Sequence, residues 1–456
     1  MKIFNTLSGK KEIFEPIEDN KIRMYVCGMT VYDDTHIGHA RTFLSFDLIV
    51  RYLRSIDYEV QYIRNITDVD DKIIARSEEL NISPSELTKD CINSMHDDFQ
   101  ALGMISPDAE PRATENIDSI ISLITKLIDK GHAYVSESDV YFSTESFEEY
   151  GKLSKRKLED MLSGARIDID LDKKNPADFV LWKKDTEGLK WDSPWGPGRP
   201  GWHIECSAMS MDALGETFDI HGGGSDLKFP HHENEIAQSE CVTGKEFAKV
   251  WMHTGSLRID EQKMSKSLKN FITIKEALND NSSEVLRFFL ISSHYRSPLN
   301  YSDEGLKEAK NSLDRLYNSL QDLSYETDEH IPSEYSEKFH DAMQDDFNSP
   351  SAISVLFEMV KQINILKKKD QLTHANALAS ELISLSNILG IVSENPEEYF
   401  TSGINLSNED IEQAIERRNK ARQEKDFELS DKIRDDLLKE GIILEDKGTK
   451  TIWKKS

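Results

Sequence analysis

The sequence predicts an α/β fold in which a Rossmann-like parallel sheet precedes a long α-helical region. Residues 22–27 form a short apolar run typical of a buried strand, and apolar side chains then recur at helical spacing from Arg41 to Leu53. A second run, rich in β-branched and aromatic residues, covers 58–66, so a strand–helix–strand unit is expected here. From Ser283 onward the apolar periodicity is almost wholly helical, which predicts a helical bundle.

The composition excludes several classes of protein. The four cysteines lie far apart in a chain of 456 residues and form no C-x-x-C pair, which argues against a secreted disulfide framework. The N-terminus lacks the continuous apolar core of a signal peptide, and no apolar run approaches the ~18 residues of a membrane span. We therefore expect a cytoplasmic protein without membrane segments, and a monomer because no coiled-coil seam is evident.

Charge is distributed unevenly along the chain. The net charge of -27 argues against a protein that is coated with nucleic acid over its whole surface. Residues 301–400 contain 8 basic and 19 acidic side chains, whereas residues 417–456 contain 12 basic and 9 acidic ones. The C-terminal end is therefore the expected docking place for a polyanion.

The order of elements predicts four units. A Rossmann-type domain is assigned to 1–110 and 201–290, an inserted α+β segment to 111–200, a helical bundle to 291–395 and a small C-terminal α/β unit to 400–456. Within the insertion, the Gly- and Pro-rich segment 191–201 is expected to be a loop. From residue 283 onward, helices are predicted at 283–292, 303–324, 333–368, 372–390, 408–422 and 427–440, with a strand pair turning near Gly448.

Local signals predict where two further helices begin. Thr67 and Asp68 are expected to cap a helix after the second strand. Another helix is expected to begin at His231. His231 and Glu235 are four residues apart and so share a helix face, whereas His232 points elsewhere.

The segment MTVYDDTHIGH, residues 29–39, lies where the first strand gives way to the first helix. In an open parallel sheet, ligands bind outside the carboxyl ends of the strands, where helix N-termini direct N–H groups at anions. His36 and His39, with Gly38 between them, would present two imidazole donors and one close backbone position to a polyphosphate. Taken alone, H-x-G-H is an equally good pattern for a loop with two solvated histidines.

Two later segments contain residue types suited to a nucleotide. Gly222 to Gly224 are predicted to form a flexible turn that permits close backbone approach, and Asp226 could accept hydrogen bonds from ribose hydroxyls. The sequence KMSKS at 263–267 places Lys263 and Lys266 in a hydroxyl-rich segment. Preplaced cations of this kind stabilise the charge that develops in phosphoryl or nucleotidyl transfer. An exposed basic turn is the alternative for this loop considered alone.

HIGH at 36–39 followed by KMSKS is the signature pair of class I aminoacyl-tRNA synthetases, and among these the chain resembles the cysteinyl-tRNA synthetases. The finer resemblance rests on YVCGMTVYDDTHIGHAR at 25–41, NITDVDDKI at 65–73, RPGWHIECSAM at 199–209 and FDIHGGGSDLKFPHHENEIAQ at 218–238. It extends over the whole chain, and the C-terminal unit is its least distinctive part.

The resemblance implies one zinc ion per chain, held by Cys27, Cys206, His231 and Glu235. Two thiolates, an imidazole and a carboxylate are an acceptable zinc set. Spacing alone does not indicate this site, because lone cysteines more often fill a core. Zinc would separate cysteine from serine by bonding to sulfur, whereas a pocket that reads shape alone separates near-isosteres by only ~10². His232 would then be a neighbour of the site or a surface residue.

The resemblance also implies roles for the remaining site residues. The residues implied for the amino-acid pocket are Thr67, Trp202 and, near the substrate carboxylate, His221. The residues implied for ATP binding are Gly38, Gly224, Asp226 and Lys266. The residues implied for catalysis are His36, His39, Lys263 and Lys266. The histidines would bind the ATP phosphates and the lysines would stabilise the α-phosphate, with Mg²⁺ accompanying the ATP.

The implied substrates are ATP, L-cysteine and tRNA-Cys. Cysteine would be activated to cysteinyl-adenylate with release of pyrophosphate, and then moved to the 3′-terminal ribose of the tRNA. The anticodon end would reach the C-terminal unit, where the candidate contacts are Arg417, Arg418, Lys420, Arg422 and Trp453. A charged helix face and a small core tryptophan are the alternatives there.

Three rival functions stay open at this point. The nearest is a ligase that joins activated cysteine to an amino-sugar on the same catalytic domain, and the segment 400–456 speaks against it. A non-catalytic tRNA-binding relative would have no use for intact HIGH, KMSKS and zinc ligands together. A different HxGH nucleotidyltransferase would lack the KMSKS loop and the C-terminal helical units.

Overall fold

The computed structural model describes residues 1–137, 139–156, 172–186, 188–259, 262–263, 271–325, 333–401, 408–447 and 450–455. Among the helices of these residues, none combines the length and apolar character that a membrane span requires.

The chain begins with a hairpin that leads into a strand–helix–strand unit. The hairpin strands are β1 (Lys2–Asn5) and β2 (Lys10–Ile13). The unit consists of β3 (Lys21–Val26), α1 (Ile37–Ser55) and β4 (Glu59–Arg64), in which β3 and β4 are parallel neighbours. This confirms the predicted strand–helix–strand unit, and α1 begins at the histidine pair because His36 is its N-cap.

The helix after β4 starts later than predicted. The next two helices are α2 (Asp71–Leu80) and α3 (Pro84–Ala101). The predicted cap at Thr67 and Asp68 is wrong, because Asp70 is the N-cap of α2. The Thr67 N–H donates to the Met29 carbonyl at 3.2 Å, and Asp68 accepts hydrogen bonds from the Thr114 N–H and hydroxyl. Both residues are therefore held in an extended segment beside the end of β3.

In the part of the insertion that the structure describes, one α-helix packs on an antiparallel sheet. Its elements are α4 (Ile117–Asp129), β5 (Ala133–Val135), β6 (Asp139–Phe142), β7 (Phe179–Lys184) and β8 (Gly198–Pro200), with strand order β5-β6-β7-β8. The prediction that 191–201 is wholly loop is wrong, since β8 pairs with β7. A Cβ at Gly198 would lie 2.4 Å from the Lys183 carbonyl oxygen, so glycine permits this close pairing, and Pro200 is tolerated because β8 is an edge strand.

The chain then completes a four-stranded parallel sheet. The elements are α5 (Trp202–Leu214), β9 (Phe218–Gly224), α6 (Glu233–Thr243) and β10 (Ala248–Thr254), and the strand order is β10-β9-β3-β4. The predicted glycine turn is wrong, because Gly222 to Gly224 are the last residues of β9. A Cβ at Gly222 would lie 2.4 Å from the Phe46 ring of α1, so the helix packs on the strand only where no side chain intervenes.

A small sheet connects this domain to the helices that follow. Its strands are β11 (Leu257–Ile259), β12 (Gln262–Lys263) and β13 (Leu299–Tyr301), in the order β12-β11-β13. Between β12 and β13 lie α7 (Ile274–Asp280) and α8 (Ser283–Ile291). The predicted KMSKS segment therefore begins on a strand whose sheet also contains the entry to the bundle.

The bundle consists of α9 (Asp303–Leu320), α10 (Glu334–Gln344), α11 (Ser349–Lys368), α12 (Leu372–Ile388) and α13 (Pro396–Thr401). The prediction of one helix over 333–368 is wrong, because the chain breaks between α10 and α11. Asp346 and Phe347 there have φ angles of 67° and 53°, in the left-handed region that ends helices. Asn348 caps α11 by accepting a hydrogen bond from the Ser351 N–H.

The carboxylate at this break joins the bundle to the first domain. Asp346 is fully buried and accepts hydrogen bonds from the Phe4 N–H at 2.8 Å and the Tyr295 hydroxyl at 2.8 Å. Arg296 Nη2 lies 2.6 Å from the same carboxylate. Phe4 belongs to β1, and the segment with Tyr295 accepts hydrogen bonds from Arg41 of α1 through the His294 carbonyl at 2.7 Å. One buried group thus connects the bundle, the N-terminal hairpin and α1.

We expect Asp346→Ala to lower the free energy of unfolding by roughly 3–5 kcal/mol, because it leaves the buried Tyr295 hydroxyl, the Phe4 N–H and the partly buried Arg296 guanidinium without their acceptor. Urea denaturation measures this change. The matched control is Asp345→Ala, since Asp345 forms an exposed ion pair with Lys11 that is worth about 0–1 kcal/mol. Equal effects of the two substitutions would contradict a structural role for Asp346.

The C-terminal unit has its own small core. It contains α14 (Asn408–Gln423), α15 (Phe427–Lys439), β14 (Ile442–Lys447) and β15 (Lys450–Lys455), and the strands form an antiparallel pair. The predicted two helices and the pairing of the two strands are confirmed, whereas the turn predicted near Gly448 lies outside the described residues. Apolar side chains from both helices and the hairpin, among them Ile411, Ile433 and Ile442, pack together.

Candidate active site

The sheet order creates a crevice at one end of the parallel sheet. From β3 the chain crosses through α1 to β4 on one side, whereas β9 lies on the other side of β3. The carboxyl ends of β3 and β9 are therefore the point where the direction of winding reverses, and ligands of open α/β sheets bind outside such a point. Cys27 directly follows β3, and Gly224 ends β9.

A cavity of about 560 Å³ lies at this crevice. Six residues singled out in the sequence line it, namely Cys27, His36, His39, Trp202, Gly224 and Asp226. Trp202 is 39% exposed, so a large aromatic face is available in the cavity. The structure therefore brings the first-strand segment, the segment that opens α5 and the end of β9 to one space.

The two histidines of HIGH hold one another at the start of α1. His36 Nδ1 accepts a hydrogen bond from the His39 N–H at 3.2 Å, and His39 Nδ1 accepts one from the His36 N–H at 3.4 Å. Their rings are stacked with centroids 3.5 Å apart. Because each Nδ1 is an acceptor, the ring proton of the neutral imidazole lies on Nε2 in both residues. Two imidazole N–H donors and a helix N-terminus thus lie at the wall of the cavity, an arrangement that suits an anion.

The end of β9 forms the opposite wall. A Cβ at Gly224 would lie 2.4 Å from Asp226 Oδ1, so glycine lets this carboxylate fold back over the strand end. Thr42 of α1 and Thr254 of β10 share a hydrogen bond of 3.1 Å near the same wall, and Thr42 also lines the cavity. Gly38 is within α1 and is not among the residues that line the cavity.

The KMSKS segment lies only partly within the described residues. Lys263 is in β12, where it pairs with Arg258 of β11, and Lys266 lies outside the described residues. The chain that follows is placed against the start of α1: the Ile37 N–H donates to the Ile272 carbonyl at 3.1 Å, and the Phe271 ring lies 4.8 Å from the His36 ring. The segment at Phe271 and Ile272 therefore borders the cavity beside the HIGH histidines.

A cluster of potential metal ligands lies below the cavity. The ligand atoms of Cys27, Cys206, His231 and Glu235 are all within 4.8 Å of one another, and all four residues are buried. Cys27 Sγ lies 3.3 Å from Glu235 Oε1, and His231 Nε2 lies 3.1 Å from the same oxygen. The predicted shared face of His231 and Glu235 is thus observed. Cys27 also lines the cavity, so the cluster opens onto it.

The donor set fits zinc. Burial, with the neighbouring Cys206 and Glu235 side chains, raises the pKa of the Cys27 thiol well above its usual value. Burial lowers the pKa of the His231 imidazole well below its usual value, so this ring is neutral at pH 7. Four buried N, S and O donors converging on one point, two of them soft, match the chemistry of a zinc site.

Further histidines surround the cluster. His203 Nδ1 lies 3.0 Å from His231 Nδ1 and so fixes the ring whose Nε2 faces Glu235. His221 Nε2 lies 2.8 Å from Glu235 Oε2, and His221 is buried below the cavity rather than lining it. His232 is fully buried with its Nε2 4.0 Å from Glu235 Oε1, so a surface position for it is wrong. The predicted helix start at His231 is also wrong, since α6 begins at Glu233.

These histidines form a second possible ligand set. Cys27, His221, His232 and Glu235 also have ligand atoms within 4.8 Å of one another. The two sets share Cys27 and Glu235, so they describe alternative positions for one ion. Only the first set contains two thiols.

The sequence interpretation missed several residues of the cavity. Tyr32 and Lys72 both line it, with Lys72 Nζ 5.6 Å from the centre of the Tyr32 ring. Thr67, which the resemblance implies for the amino-acid pocket, is not among the residues that line the cavity; it is 2% exposed and accepts a hydrogen bond from Asn65, so it lies behind the cavity wall. Lys72 belongs to the segment NITDVDDKI at 65–73, which is part of the family resemblance. It is the only basic side chain of that segment, and this feature could have indicated it as a residue of the site.

In the C-terminal unit, two of the candidate RNA contacts have structural roles. Arg418 is 7% exposed and makes two hydrogen bonds, of 2.9 and 3.0 Å, to Asp446. This pair holds the pKa of the Asp446 carboxyl well below its usual range. Trp453 packs against the small core and donates to Glu412 at 3.2 Å. Arg417 and Lys420 are exposed, whereas Arg422 also pairs with Asp446.

Comparison with protein families gives two matches. Residues 13–311 match the family described as tRNA synthetases class I (C) catalytic domain, and residues 338–393 match the DALR domain. The chain is 53% identical to the cysteine–tRNA ligase of Hahella chejuensis over 469 aligned residues, with 100% of each chain covered. It is 52% identical to the cysteine–tRNA ligase of Haemophilus influenzae, again with 100% of each covered.

Solved structures support the same fold. The methionyl-tRNA synthetase of Mycobacterium tuberculosis bound by methionyl-adenylate is similar with a TM-score of 0.62 and 15% identity, covering 83% of this chain and 95% of that one. The leucyl enzyme of Agrobacterium radiobacter, described in a ternary complex with tRNA, gives a TM-score of 0.57 at 11% identity, covering 88% and 93%. At such identities the likeness concerns the fold.

Proposed function

The chain belongs to the cysteine–tRNA ligases, which are class I aminoacyl-tRNA synthetases, and we propose that the crevice between β3 and β9 is the site of both half-reactions. The chain is thus an ATP-dependent aminoacyl-tRNA ligase whose substrates are ATP, an amino acid and a tRNA. One observation carries the assignment of the site. A buried cluster with two thiols opens onto the same cavity that the HIGH histidines line.

The amino acid is proposed to bind with its side chain at the cluster. Zinc would be held there by Cys27, Cys206, His231 and Glu235, and when bound it would supply a soft acceptor for the sulfur of cysteine that the hard hydroxyl of serine matches poorly. The first set is preferred over the second because it contains two thiols. Around it, His203 orients His231 through their 3.0 Å contact.

Neighbouring residues are proposed to position the rest of the amino acid. The Trp202 ring lies 4.3 Å from the His231 ring and lines the cavity, so it can cover the substrate on the side away from β3. Thr67 holds the segment after β4 against Met29, which keeps the cavity wall in place. His221 contacts Glu235 and would act from beneath, near the substrate's polar end.

Adenylate formation is proposed to depend on donors at the start of α1. A carboxylate oxygen of cysteine attacks the α-phosphorus of ATP, the bond to the β-phosphate breaks, and pyrophosphate leaves. The Nε2–H groups of His36 and His39 would bind the phosphates while negative charge moves from the reacting α-phosphate onto the leaving pyrophosphate. Lys266, with Lys263, would meet the charge at the α-phosphate, and Mg²⁺ would accompany ATP. Gly224 and Asp226 would face the adenosine.

Transfer to tRNA is proposed to use the C-terminal unit for recognition of the far end of the RNA. Arg417 and Lys420 are exposed on α14, and Phe427 at the start of α15 is 63% exposed. Exposed cations bind phosphates, and an exposed aromatic ring can stack on an unpaired base. The transfer itself is proposed to take place in the crevice where the adenylate forms. There the terminal ribose hydroxyl of the tRNA attacks the cysteinyl carbonyl, and AMP leaves.

ATP–pyrophosphate exchange with cysteine, followed by charging of a tRNA-Cys transcript, tests the proposed function. Both activities are expected. Exchange without charging would point to a ligase that uses another acceptor, such as an amino-sugar. The comparisons favour the tRNA reaction, because cysteine–tRNA ligases are matched over the full length of this chain, including the C-terminal unit.

A further inference from the structure

A buried tyrosine hydroxyl lies beside the cluster of potential metal ligands. Tyr25, in β3, is fully buried, and its hydroxyl oxygen has no nitrogen or oxygen partner among the described residues. A buried polar group without such a partner lowers the stability of a fold, so it is retained where it serves another purpose. The groups that surround this hydroxyl indicate the purpose.

The strand places Tyr25 on the same face as a metal ligand. Side chains alternate along β3, so Met24 packs into the core on the α1 side of the sheet, whereas Tyr25 and Cys27 face the other way. On that other face, Tyr25 belongs to one cluster of packed side chains with Cys27 and Cys206. The ring of His221, which pairs with Tyr25 from β9, has its centre 5.4 Å from the Tyr25 ring centre.

The Tyr25 hydroxyl interacts with the sulfur atoms of the cluster. Burial raises its pKa well above the usual value, and the Cys206 and Cys27 thiols and the Glu235 carboxylate raise it further. Contact with the Cys27 thiol lowers the pKa of the Cys206 thiol, burial raises it above its usual value, and a hydrogen bond from the Tyr25 hydroxyl lowers it. The hydroxyl therefore keeps its proton at pH 7 and is placed to donate a hydrogen bond to the Cys206 sulfur.

The charge of the cluster gives such a donor a function. Two thiolates and a carboxylate carry one negative charge more than a zinc ion neutralises, and the thiolate of a bound cysteine would add another. Buried charge of one sign is stabilised by hydrogen-bond donors. On the carboxylate side the donor is His221, whose Nε2 lies 2.8 Å from Glu235 Oε2, an atom that can only accept. Tyr25 has the corresponding place on the thiolate side.

We propose that Tyr25 is a positioning residue of the metal centre, whose hydroxyl donates a hydrogen bond to the Cys206 thiolate. The hydrogen bond stabilises the deprotonated sulfur and draws electron density from it, which leaves the metal a stronger acceptor for the sulfur of the substrate. This role rests on the proposed function, which places zinc at the cluster. Tyr25 itself keeps its proton throughout the reaction.

The test is Tyr25→Phe, which keeps the ring and removes only the hydroxyl. Zinc is expected to bind about tenfold more weakly in competition with a chromophoric chelator, since the loss of a group that contacts a ligand usually costs about 10–100-fold in metal affinity. In the cobalt(II)-loaded protein, the sulfur-to-cobalt charge-transfer band is expected to move to longer wavelength. A sulfur that has lost a hydrogen bond releases its electrons to the metal more readily.

Exchange kinetics of the zinc-loaded variant give a second measurement. In ATP–pyrophosphate exchange, KM for cysteine is expected to rise about tenfold, because the changed residue acts on the metal that receives the sulfur. KM for ATP is expected to stay within about twofold, because Tyr25 is not among the residues that line the cavity beside the HIGH histidines.

The matched control is Tyr62→Phe. Tyr62 is a buried tyrosine of the neighbouring strand β4 and pairs with Met24, but it packs into the core on the opposite face of the sheet. Its substitution is expected to leave the zinc affinity and the cobalt band unchanged. Metal-free Tyr25→Phe is expected to be no less stable in urea than the metal-free unaltered chain, because it loses a buried hydroxyl that has no nitrogen or oxygen partner.

An unchanged zinc affinity and an unmoved cobalt band in Tyr25→Phe would overturn the proposal. A large loss of stability in the metal-free variant would also overturn it, because Tyr25 would then act through the packing of the core. Absence of zinc from the purified unaltered chain would refute the proposed metal site itself, whereas a zinc-loaded unaltered chain with an indifferent variant refutes the role of Tyr25 alone.

Discussion

Cys206→Ser is expected to remove zinc from the protein and to raise the cysteine concentration needed for adenylate formation by roughly 10²-fold or more. The hydroxyl of serine is a hard and weakly acidic donor, so it does not replace a thiolate that contributes to a soft site. Metal analysis of the purified variant gives the zinc content, and ATP–pyrophosphate exchange gives the dependence on cysteine.

This substitution also distinguishes the two ligand sets. Cys206 belongs only to the set with two thiols, whereas Cys27 and Glu235 are common to both. The matched control is Cys241→Ser, because Cys241 is a half-buried thiol outside both sets, and its zinc content and activity are expected to be unchanged. A full zinc content in Cys206→Ser would contradict the assignment and point to His221 and His232 as ligands.

The second large effect concerns the start of α1. We expect His39→Asn to lower kcat for ATP–pyrophosphate exchange about 10²–10³-fold, which is the usual consequence of losing one preplaced donor to transition-state charge. The Asn side-chain oxygen can take the place of His39 Nδ1 in accepting the His36 N–H, so the helix start is preserved. What is lost is the Nε2–H group directed at the phosphates.

His39→Gln is the matched comparison for this prediction. Its longer side chain can present an amide N–H close to the position of Nε2, so part of the rate is expected to return. Urea denaturation of both variants is expected to give free energies of unfolding within about 1 kcal/mol of the unaltered chain. A rate loss that follows the loss of stability, with Gln no better than Asn, would show that His39 acts only in the fold.

The strand–helix crossing could be predicted because its signals are local. Apolar runs and helical periodicity indicated β3, α1 and β4, and the pair His36 and His39 marked the N-terminus of α1. Helix ends that depend on distant contacts were predicted less well. Thr67 has the side chain of a good cap, but its backbone pairs with the segment after β3, and a long-range contact therefore decides its conformation.

The cluster of potential metal ligands was the part of the site that spacing could not reveal. Its residues come from the end of β3, from α5, and from the turn and first residues of α6, which are brought together only by the parallel sheet. The four ligands were predicted from the resemblance to a family, and the structure shows that their ligand atoms lie within 4.8 Å of one another. His232 shows the limit of helix-face reasoning, because the turn before α6 is not a regular α-helix and directs adjacent histidines into the same core.

The predictions of a turn at Gly222 to Gly224 and of one helix over 333–368 were wrong for a related reason. Three glycines usually indicate a turn, yet at Gly222 the absence of a side chain serves the packing of Phe46 on β9. At Asp346 the apolar periodicity continues across the break, and only the buried carboxylate with its partners from β1 and the 293–297 segment explains why the helix stops. These partners lie 51 residues away along the chain for Tyr295 and 342 residues away for Phe4, so no local pattern indicates them.

We propose that the protein distinguishes cysteine from serine by the sulfur atom, at the buried cluster of Cys27, Cys206, His231 and Glu235. The most direct test is the ratio of kcat/KM for cysteine and serine in ATP–pyrophosphate exchange by the unaltered protein. A pocket that reads shape alone gives a ratio of ~10². We expect a ratio above about 10⁴, most of which is lost when a chelator removes zinc. A ratio near 10² that does not depend on zinc would show that sulfur is not recognised through a metal.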